Sequence, residues 1–197
     1  ERLQTLAAQA RAQGRPLRVL NVGCGPAGEL QRLLRTDAAL DHVEVTLMDF
    51  SDETLLYTSQ RLLEVAGQAG RPPLSVALRH ESVHQLLKRS SREQEVPAEQ
   101  QYDYIYCAGL FDYLADKACA RLIAYFDRHL RPGGTVLVTN VHVRNPERFW
   151  MEHFMEWYLI YRDEPGMVGL FPPTLPDVKT YTDATGVNLF AEAVKPS

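Results

Sequence analysis

The sequence has 197 residues, 45% of them hydrophobic, which is enough for the core of one domain but not of two. The formal net charge is −4 and basic residues are scattered among acidic ones, so we expect no broad positive surface and no nucleic-acid partner. Apolar runs fall far short of the ~20 residues that a membrane-spanning helix needs, and we expect no membrane span.

The three cysteines, Cys24, Cys107 and Cys119, form no CxxC pair. Their odd number and wide spacing argue against a disulfide framework and against a cysteine zinc site. We therefore expect no metal and a reducing, cytoplasmic location.

Strand-like and helix-like segments alternate along the chain. Residues 1–15 predict a leading helix and, because the chain opens at Glu1 rather than Met, we expect this helix to end a longer upstream segment. Five short, nearly continuous apolar runs are typical of strands covered on both faces: Leu17–Val22, Val43–Asp49, Leu74–His80, Tyr102–Cys107 and Thr135–Val141. The alternation predicts one α/β domain with helices on both faces of a mostly parallel sheet.

Two helices have clear boundaries. Ser51 is a plausible N-cap, and the helix after it is expected to bury Leu55, Ser59, Leu62, Leu63 and Ala66. A second helix begins at Asp116 and is expected to direct inward Cys119, Leu122, Ile123, Phe126 and Leu130.

The pattern changes after the fifth strand. Asn145 as a cap and Pro146 at the first helical position predict a helix to about Arg162, followed by a proline-rich loop over residues 165–176. The end of the chain predicts a hairpin of Val178–Thr182 and Val187–Val194. The polar segment Arg89–Gln101 predicts a mobile surface connection.

The first strand leads into a glycine-rich turn that begins at Asn21 and contains Gly23, Cys24, Gly25 and Gly28. Glycines allow a sharp turn, and they let a ligand lie against main-chain atoms at the start of the following helix. This motif alone is shared by nicotinamide, flavin and S-adenosylmethionine sites, and it is also compatible with a tight turn that binds nothing.

An acidic residue ends the second strand. Asp49 lies 21 positions after Gly28, where its side chain can accept hydrogen bonds from two ribose hydroxyls. The alternative is that Asp49 only helps to cap the next helix, although Ser51 is better placed for that. Phe50 would flank an adenine ring or belong to the core.

Four segments, Val19–Gly28, Leu47–Ser51, Tyr102–Cys107 and Leu130–Thr135, stand in the order and spacing of class I S-adenosylmethionine-dependent methyltransferases. The sequence resembles this family over roughly residues 15–194. The resemblance implies a Rossmann-like, seven-stranded sheet with an antiparallel last strand, and S-adenosylmethionine as cofactor. The Leu-Arg-Pro-Gly-Gly run also predicts a turn on physical grounds, because proline stops a helix and the glycines permit positive φ before the fifth strand.

The same resemblance places further residues near the cofactor. Ser82 and Val83 would approach the adenine edge, whereas Cys107, Ala108 and Gly109 would face the methionine end. The family usually has Asp or Glu at the position of Asn21, and this chain has no charge there. Two alternatives follow: the affinity for the cofactor is lower, or the anchor for its amino group lies elsewhere. We do not expect Cys107 to be a nucleophile, because no partner base is evident.

Residues after the fifth strand bear on the methyl acceptor. His142 and Arg144 are expected to orient an acid, and the apolar side chains that follow either line an acceptor pocket or pack helix against sheet: Met151, Phe154, Met155, Trp157, Tyr158 and Tyr161. A phenol or amine acceptor would instead need a base, for which the candidates are His142, Asp112, Tyr113 and His153.

Parts of the chain, Tyr106–Leu114, Met151–Arg162 and Asp183–Phe190, also resemble bacterial methyltransferases that make 3-hydroxy fatty acid methyl esters as quorum-sensing signals. This narrower resemblance implies O-methylation of a carboxylate on a small amphiphilic acceptor. A nicotinamide-dependent oxidoreductase and a catalytically inactive binding subunit are the alternatives. The oligomeric state is not predicted.

Overall fold

The computed structural model describes residues 2–36, 40, 42–90 and 96–197. Seven strands form one mixed sheet in the order β3-β2-β1-β4-β5-β7-β6. Its helices are α1 (Arg2–Ala12), α2 (Gly28–Thr36), α3 (Asp52–Gln68), α4 (Val83–Ser90), α5 (Asp116–His129), α6 (Arg148–His153) and α7 (Glu164–Val168). Its strands are β1 (Leu17–Val22), β2 (Val43–Asp49), β3 (Ser75–His80), β4 (Tyr102–Cys107), β5 (Leu130–Val141), β6 (Lys179–Thr182) and β7 (Asn188–Val194). This topology confirms the predicted Rossmann-like α/β class.

The chain divides into two compact units, Glu1–Tyr106 and Cys107–Ser197. In the first unit β1 pairs in parallel with β2 and with β4, and β2 pairs in parallel with β3. Strands β1 and β2 are mostly buried, because their apolar runs leave few polar side chains to reach water.

Helix α3 begins as predicted, since the Ser51 hydroxyl accepts a hydrogen bond of 3.1 Å from the Thr54 N–H. Its buried face is Leu55, Thr58, Leu62, Val65 and Ala66. The prediction that Leu63 faces inward is wrong, because at about 100° per residue Leu63 lies outside the arc of the helix that these five buried side chains occupy. The Leu63 side chain is exposed.

In the second unit β7 runs antiparallel to both β5 and β6, which confirms the terminal hairpin. Helix α5 buries the predicted apolar face. Strand β5 begins five residues earlier than predicted, so the Pro-Gly-Gly run lies within its bounds. Gly133 nevertheless has a positive φ of 75°, as the predicted turn requires. The reason is continued pairing: the Gly133 N–H donates to the Lys195 carbonyl and the Lys195 N–H donates to the Gly134 carbonyl, at 2.9 and 2.8 Å.

The predicted helix from Pro146 to Arg162 is wrong. Asn145 caps only a turn, accepting a hydrogen bond from the Glu147 N–H, and α6 ends at His153. The chain then leaves the helix, with a positive φ of 50° at Glu156, and Arg162 pairs with His142 in a single parallel β-bridge. The proline-rich segment likewise contains the short helix α7 where a loop was expected, capped by Asp163.

The connection Arg89–Gln101 differs from its prediction at both described ends. Residues 89 and 90 complete α4, and Ala98–Gln100 forms one 3-10 turn. Residues 91–95 lie outside the described part of the chain. None of the helices that the structure describes is long and apolar enough to cross a membrane.

Candidate functional site

The glycine turn of the first unit has the backbone that its sequence predicts. Gly23 and Gly25 adopt positive φ angles of 64° and 48°, a region that favours glycine. The N–H groups of Gly23 and Cys24 both donate to the Met48 carbonyl, which ties the turn to the end of β2. Apart from adjacent residues and the backbone of α2 itself, a Cβ atom built on Gly25 or Gly28 would meet no described atom within 4 Å, so there is open space at these two positions.

Asp49 connects this turn with helix α3. Its Oδ2 atom accepts a hydrogen bond from the Gly25 N–H and its Oδ1 atom accepts one from the Ser51 N–H, each at 3.1 Å. A carboxylate has about four acceptor positions, so two remain for hydroxyl groups of a ligand. Asp49 therefore stabilises the turn and can still accept hydrogen bonds from the hydroxyls of a ribose.

Cys24 is buried beneath the turn and is not a nucleophile. Burial, together with the negative charges of Asp49 and Glu29, raises the pKa of its thiol to about 12. Because a protonated thiol reacts poorly, Cys24 serves as a small apolar side chain at neutral pH.

Next to the turn lies a polar cluster that sequence reasoning missed. The side-chain amide of the buried Asn21 donates to Glu29 Oε1 at 3.3 Å, and the Tyr106 hydroxyl donates to the same oxygen at 2.6 Å. Burial, followed by the charge of Glu29, raises the pKa of Tyr106 well above its usual range. Parallel pairing of β1 with β4 sets Asn21 opposite Tyr106, and this register is the signal that could have revealed the cluster.

Phe50 and Ser82 follow the ends of β2 and β3. Phe50 is 74% exposed, which excludes the core alternative and leaves the ring accessible to a ligand. Ser82 and Gln85 form a reciprocal cap on α4, because the Gln85 N–H donates to the Ser82 hydroxyl and the Ser82 N–H donates to the Gln85 side chain. Val83 is the first residue of that helix.

The second unit begins with the other predicted cofactor residues. Cys107 is buried, and burial raises the pKa of its thiol well above the usual range, which agrees with the absence of a nucleophilic role. Ala108 and Gly109 are exposed, and the Gly109 N–H donates to the Thr139 hydroxyl at 3.0 Å.

Asp112 is a buried carboxyl that joins three segments of this unit. Its Oδ1 atom accepts a 2.5 Å hydrogen bond from the Val141 N–H, and its backbone carbonyl accepts one from the Ile160 N–H. Burial raises the pKa of Asp112, while the Val141 N–H and the Arg162 guanidinium oppose that rise.

His142 is buried and uses both ring nitrogens. Its Nδ1 atom accepts a hydrogen bond from the Arg144 N–H, so we assign the proton of the neutral ring to Nε2, which lies 3.3 Å from the Glu164 carboxylate. The Arg144 side chain is exposed and forms no hydrogen bond or ion pair with a described residue. Of His142 and Arg144, which were both expected to orient an acid, Arg144 is the one whose N–H donors are available to a ligand.

Four exposed rings lie close together in α6 and directly after it, and we define them as the aromatic cluster: Phe149, Trp150, His153 and Phe154. Of the apolar residues expected to follow one long helix, only Phe154 belongs to this cluster. The rings of Phe149 and His153 stack at 4.4 Å between centroids, and those of Trp150 and Phe154 lie 4.1 Å apart. Helix-to-sheet packing is wrong for Phe154, Met155 and Tyr158, since all three are exposed. Tyr113 is exposed too, and its hydroxyl accepts a hydrogen bond from the Trp157 indole.

A family model described as a methyltransferase domain matches residues 20–136, which is more than half of the chain. The chain belongs to this family. Membership confirms the predicted enzyme class, an S-adenosylmethionine-dependent methyltransferase. A search of curated proteins found no match.

Solved structures share the fold of this methyltransferase at low sequence identity. A possible exported protein from Bordetella parapertussis has a TM-score of 0.72 and 18% identity, covering 100% of this chain and 67% of its own. Magnesium protoporphyrin IX methyltransferase from Synechocystis PCC 6803, with S-adenosylhomocysteine bound, has a TM-score of 0.62 and 11% identity, covering 97% and 80%. The N-methyltransferase NodS from Bradyrhizobium japonicum WM9, in complex with S-adenosylhomocysteine, has a TM-score of 0.60 and 16% identity, covering 100% and 87%.

The residues of the first unit fit the chemistry of S-adenosylmethionine. The open space over Gly25 and Gly28 lets a ligand approach the main chain of the turn. Asp49 retains acceptor positions for ribose hydroxyls, and the exposed Phe50 ring offers an apolar face to adenine. These residues would hold the nucleoside part of the cofactor.

Proposed function

We propose that this methyltransferase O-methylates the carboxylate of a small, fatty-acid-like acceptor. S-adenosylmethionine, when bound, supplies a methyl group on a positively charged sulfur. In the proposal the glycine turn, Asp49 and Phe50 bind the cofactor, whereas Arg144 orients the carboxylate of the acceptor. The resemblance to enzymes that make 3-hydroxy fatty acid methyl esters favours a hydroxylated fatty acid, and with it a role in quorum sensing.

The observation that carries this proposal is a cation close along the chain to exposed apolar side chains. Arg144 has five N–H donors that form no hydrogen bond with a described residue, although it interacts electrostatically with Glu164. The aromatic cluster begins five residues later at Phe149. A guanidinium binds a carboxylate through two parallel hydrogen bonds, and aromatic side chains bind an alkyl chain by excluding water. Together they suit an amphiphilic acid.

Methylation of a carboxylate acceptor requires no general base. An acid with a pKa of ~4–5 is already ionised at neutral pH, so no side chain has to remove a proton from it. The chain's contribution would be to orient the acid and to remove water from its oxygen. Accordingly neither His142 nor Asp112 would need to act as a base.

A phenol or amine acceptor is the second candidate, and Asp112 is the observation that favours it. Burial raises the pKa of the Asp112 carboxyl, which makes it a stronger base than an exposed aspartate, and Asp112 follows the end of β4. With such an acceptor the rate would rise with pH as the base loses its proton.

The two candidates are separated by an acceptor panel. Saturated and 3-hydroxylated fatty acids are compared with catechols and small amines, and the release of S-adenosylhomocysteine is measured between pH 6 and 9. We expect turnover of the acids with a flat pH profile. Turnover of phenols or amines, with none of the acids, would reject the carboxylate assignment and leave the family unchanged.

Arg144 provides the matched test of acceptor binding. We expect Arg144→Ala to raise KM for the acid on the order of tenfold or more, because a charge-assisted pair contributes roughly 1.5–3 kcal/mol, and to leave S-adenosylhomocysteine affinity unchanged. Arg144→Lys keeps the charge and should recover part of the loss. An equal KM in the wild type and Arg144→Ala would remove Arg144 from the site.

A cytoplasmic location is part of the proposal. All three cysteines are free and buried, and they form no disulfide. This agrees with a reducing compartment, where thiols persist.

A further inference from the structure

Glu29 holds an exposed carboxylate in a fixed position beside the glycine turn. It is the second residue of α2, one position after Gly28. Its Oε1 atom accepts hydrogen bonds from the Asn21 amide and the Tyr106 hydroxyl, at 3.3 and 2.6 Å. Both donors are buried, so they restrict an otherwise flexible side chain.

The partners of this carboxylate leave its charge uncompensated. Asn21 and Tyr106 are neutral, and no described lysine, arginine or histidine forms an ion pair with Glu29. This negative charge affects two neighbouring groups. Burial is the main cause of the raised pKa of Tyr106, and the charge of Glu29 adds to it. Burial likewise raises the pKa of Cys24, and the charges of Asp49 and Glu29 add to that rise. No described donor bonds to Oε2, so this oxygen is available to a ligand.

The position of Asn21, Tyr106 and Glu29 determines which group of a ligand can contact the Glu29 carboxylate. Asn21 and Tyr106 stand opposite each other near the carboxyl ends of β1 and β4, the edge where ligands of open α/β sheets bind. The Asp49 carboxylate accepts a hydrogen bond from the Gly25 N–H and suits ribose hydroxyls. Because the Glu29 carboxylate is negatively charged and has no cationic partner among the described residues, the ligand group that suits it is a cation.

We propose that the Glu29 carboxylate binds the α-ammonium group of S-adenosylmethionine, so that the charge missing at Asn21 is supplied from the first turn of α2. Asn21 and Tyr106 are then positioning residues, which orient the carboxylate through Oε1. This assignment concerns the cofactor only and does not depend on the identity of the acceptor.

A purely structural role is the competing explanation. Glu29 could tie α2 to strands β1 and β4 without touching a ligand, and its loss would then loosen the turn for every ligand alike. The two explanations differ in one measurable way: a binding role depends on the amino group of the ligand, whereas a structural role does not.

The test measures dissociation constants by calorimetry for S-adenosylhomocysteine and for an analogue in which hydrogen replaces the α-amino group. We expect Glu29→Gln to weaken S-adenosylhomocysteine on the order of tenfold or more and to change analogue binding less than about twofold, because only the first ligand loses a charge-assisted bond. Glu64→Gln, on an exposed glutamate paired with Arg61 on α3, is the matched control and should change neither.

Tyr106→Phe gives a second variant that keeps the charge of Glu29 but removes the shorter of its two restraints. It should weaken S-adenosylhomocysteine by roughly threefold to tenfold, the value of one hydrogen bond, and leave the analogue unchanged. Equal losses for the two ligands in either variant would assign Glu29 a structural role, and unchanged affinities would show that it does not contact the cofactor. Either result overturns the proposal.

Discussion

At the scale of single residues, Asp49 has two functions that one substitution would remove together. It accepts backbone hydrogen bonds from Gly25 and Ser51, and it is placed to accept ribose hydroxyls. Asp49→Ala should therefore weaken S-adenosylhomocysteine binding by about 1.5–3 kcal/mol while the protein stays folded. Calorimetric titration measures the binding, and circular dichroism checks the fold.

Ser51→Ala is the control for this prediction, because Ser51 caps the same helix without facing a ligand in the proposal. It should lower the free energy of unfolding by about 1 kcal/mol, through loss of the bond from the Thr54 N–H, and leave cofactor affinity unchanged. If a folded Asp49→Ala protein bound S-adenosylhomocysteine as well as the wild type, Asp49 would be a capping residue only.

At the scale of elements, the hydrogen bonds of Arg162 explain why the chain does not continue as a helix to residue 162. Its buried guanidinium donates to the carbonyls of Phe111 and Leu114 and to the side chains of Asn140 and Asp116, at 2.6–3.0 Å. A helix through residue 162 would give up these bonds and leave a buried cation unpaired. The non-helical segment before Arg162 thus allows the guanidinium to keep these partners.

Arg162→Met should consequently destabilise the protein by about 3–5 kcal/mol, since it leaves several acceptors in a buried site without donors. Asp116→Asn is the comparison: the Asp116 side chain is 77% exposed, so its loss should cost at most about 1 kcal/mol. Chemical denaturation monitored by fluorescence measures both. Similar midpoints for the two variants would mean that the exposed ion pair, not the buried set of bonds, holds the segment.

At the scale of the whole molecule, ligand binding should appear as a gain in stability. A ligand present at one hundred times its Kd stabilises the folded state by about 2.7 kcal/mol, which for a protein of this size raises Tm by roughly 5–11 °C. We expect such a shift with S-adenosylhomocysteine and none with NADH, because the acceptors around the turn suit one nucleoside. A larger shift with NADH would contradict the cofactor assignment.

Much of the architecture could be predicted from local patterns. Strands β1, β2 and β4 have the predicted bounds, and β3 begins one residue later. Apolar runs are informative here because strands inside a parallel sheet have no polar face. The glycine turn and the Ser51 cap were also predictable, since each depends on a backbone requirement that few residue types meet.

The candidate site was predictable only where neighbours in sequence are neighbours in space. Gly23, Gly25 and Asp49 belong to a local motif and come together as expected. His142 was expected to orient an acceptor, but Glu164 lies 22 residues further along the chain and occupies its Nε2 atom. No spacing rule indicates that pair.

By itself, the sequence determined the α/β class, the order of strands and helices, the glycine turn and the enzyme family. These follow from periodicity, residue-specific backbone preferences and a motif confined to short segments. Only the tertiary structure decided that the Glu29 carboxylate lies beside the turn, bonded to Asn21 and Tyr106, and that the chain leaves helical structure after His153. Both outcomes depend on hydrogen bonds between distant parts of the chain, 77 residues apart for Glu29 and Tyr106 and 51 for Arg162 and Phe111. Buried polar groups must find partners wherever the fold brings them, and that requirement overrides local propensity.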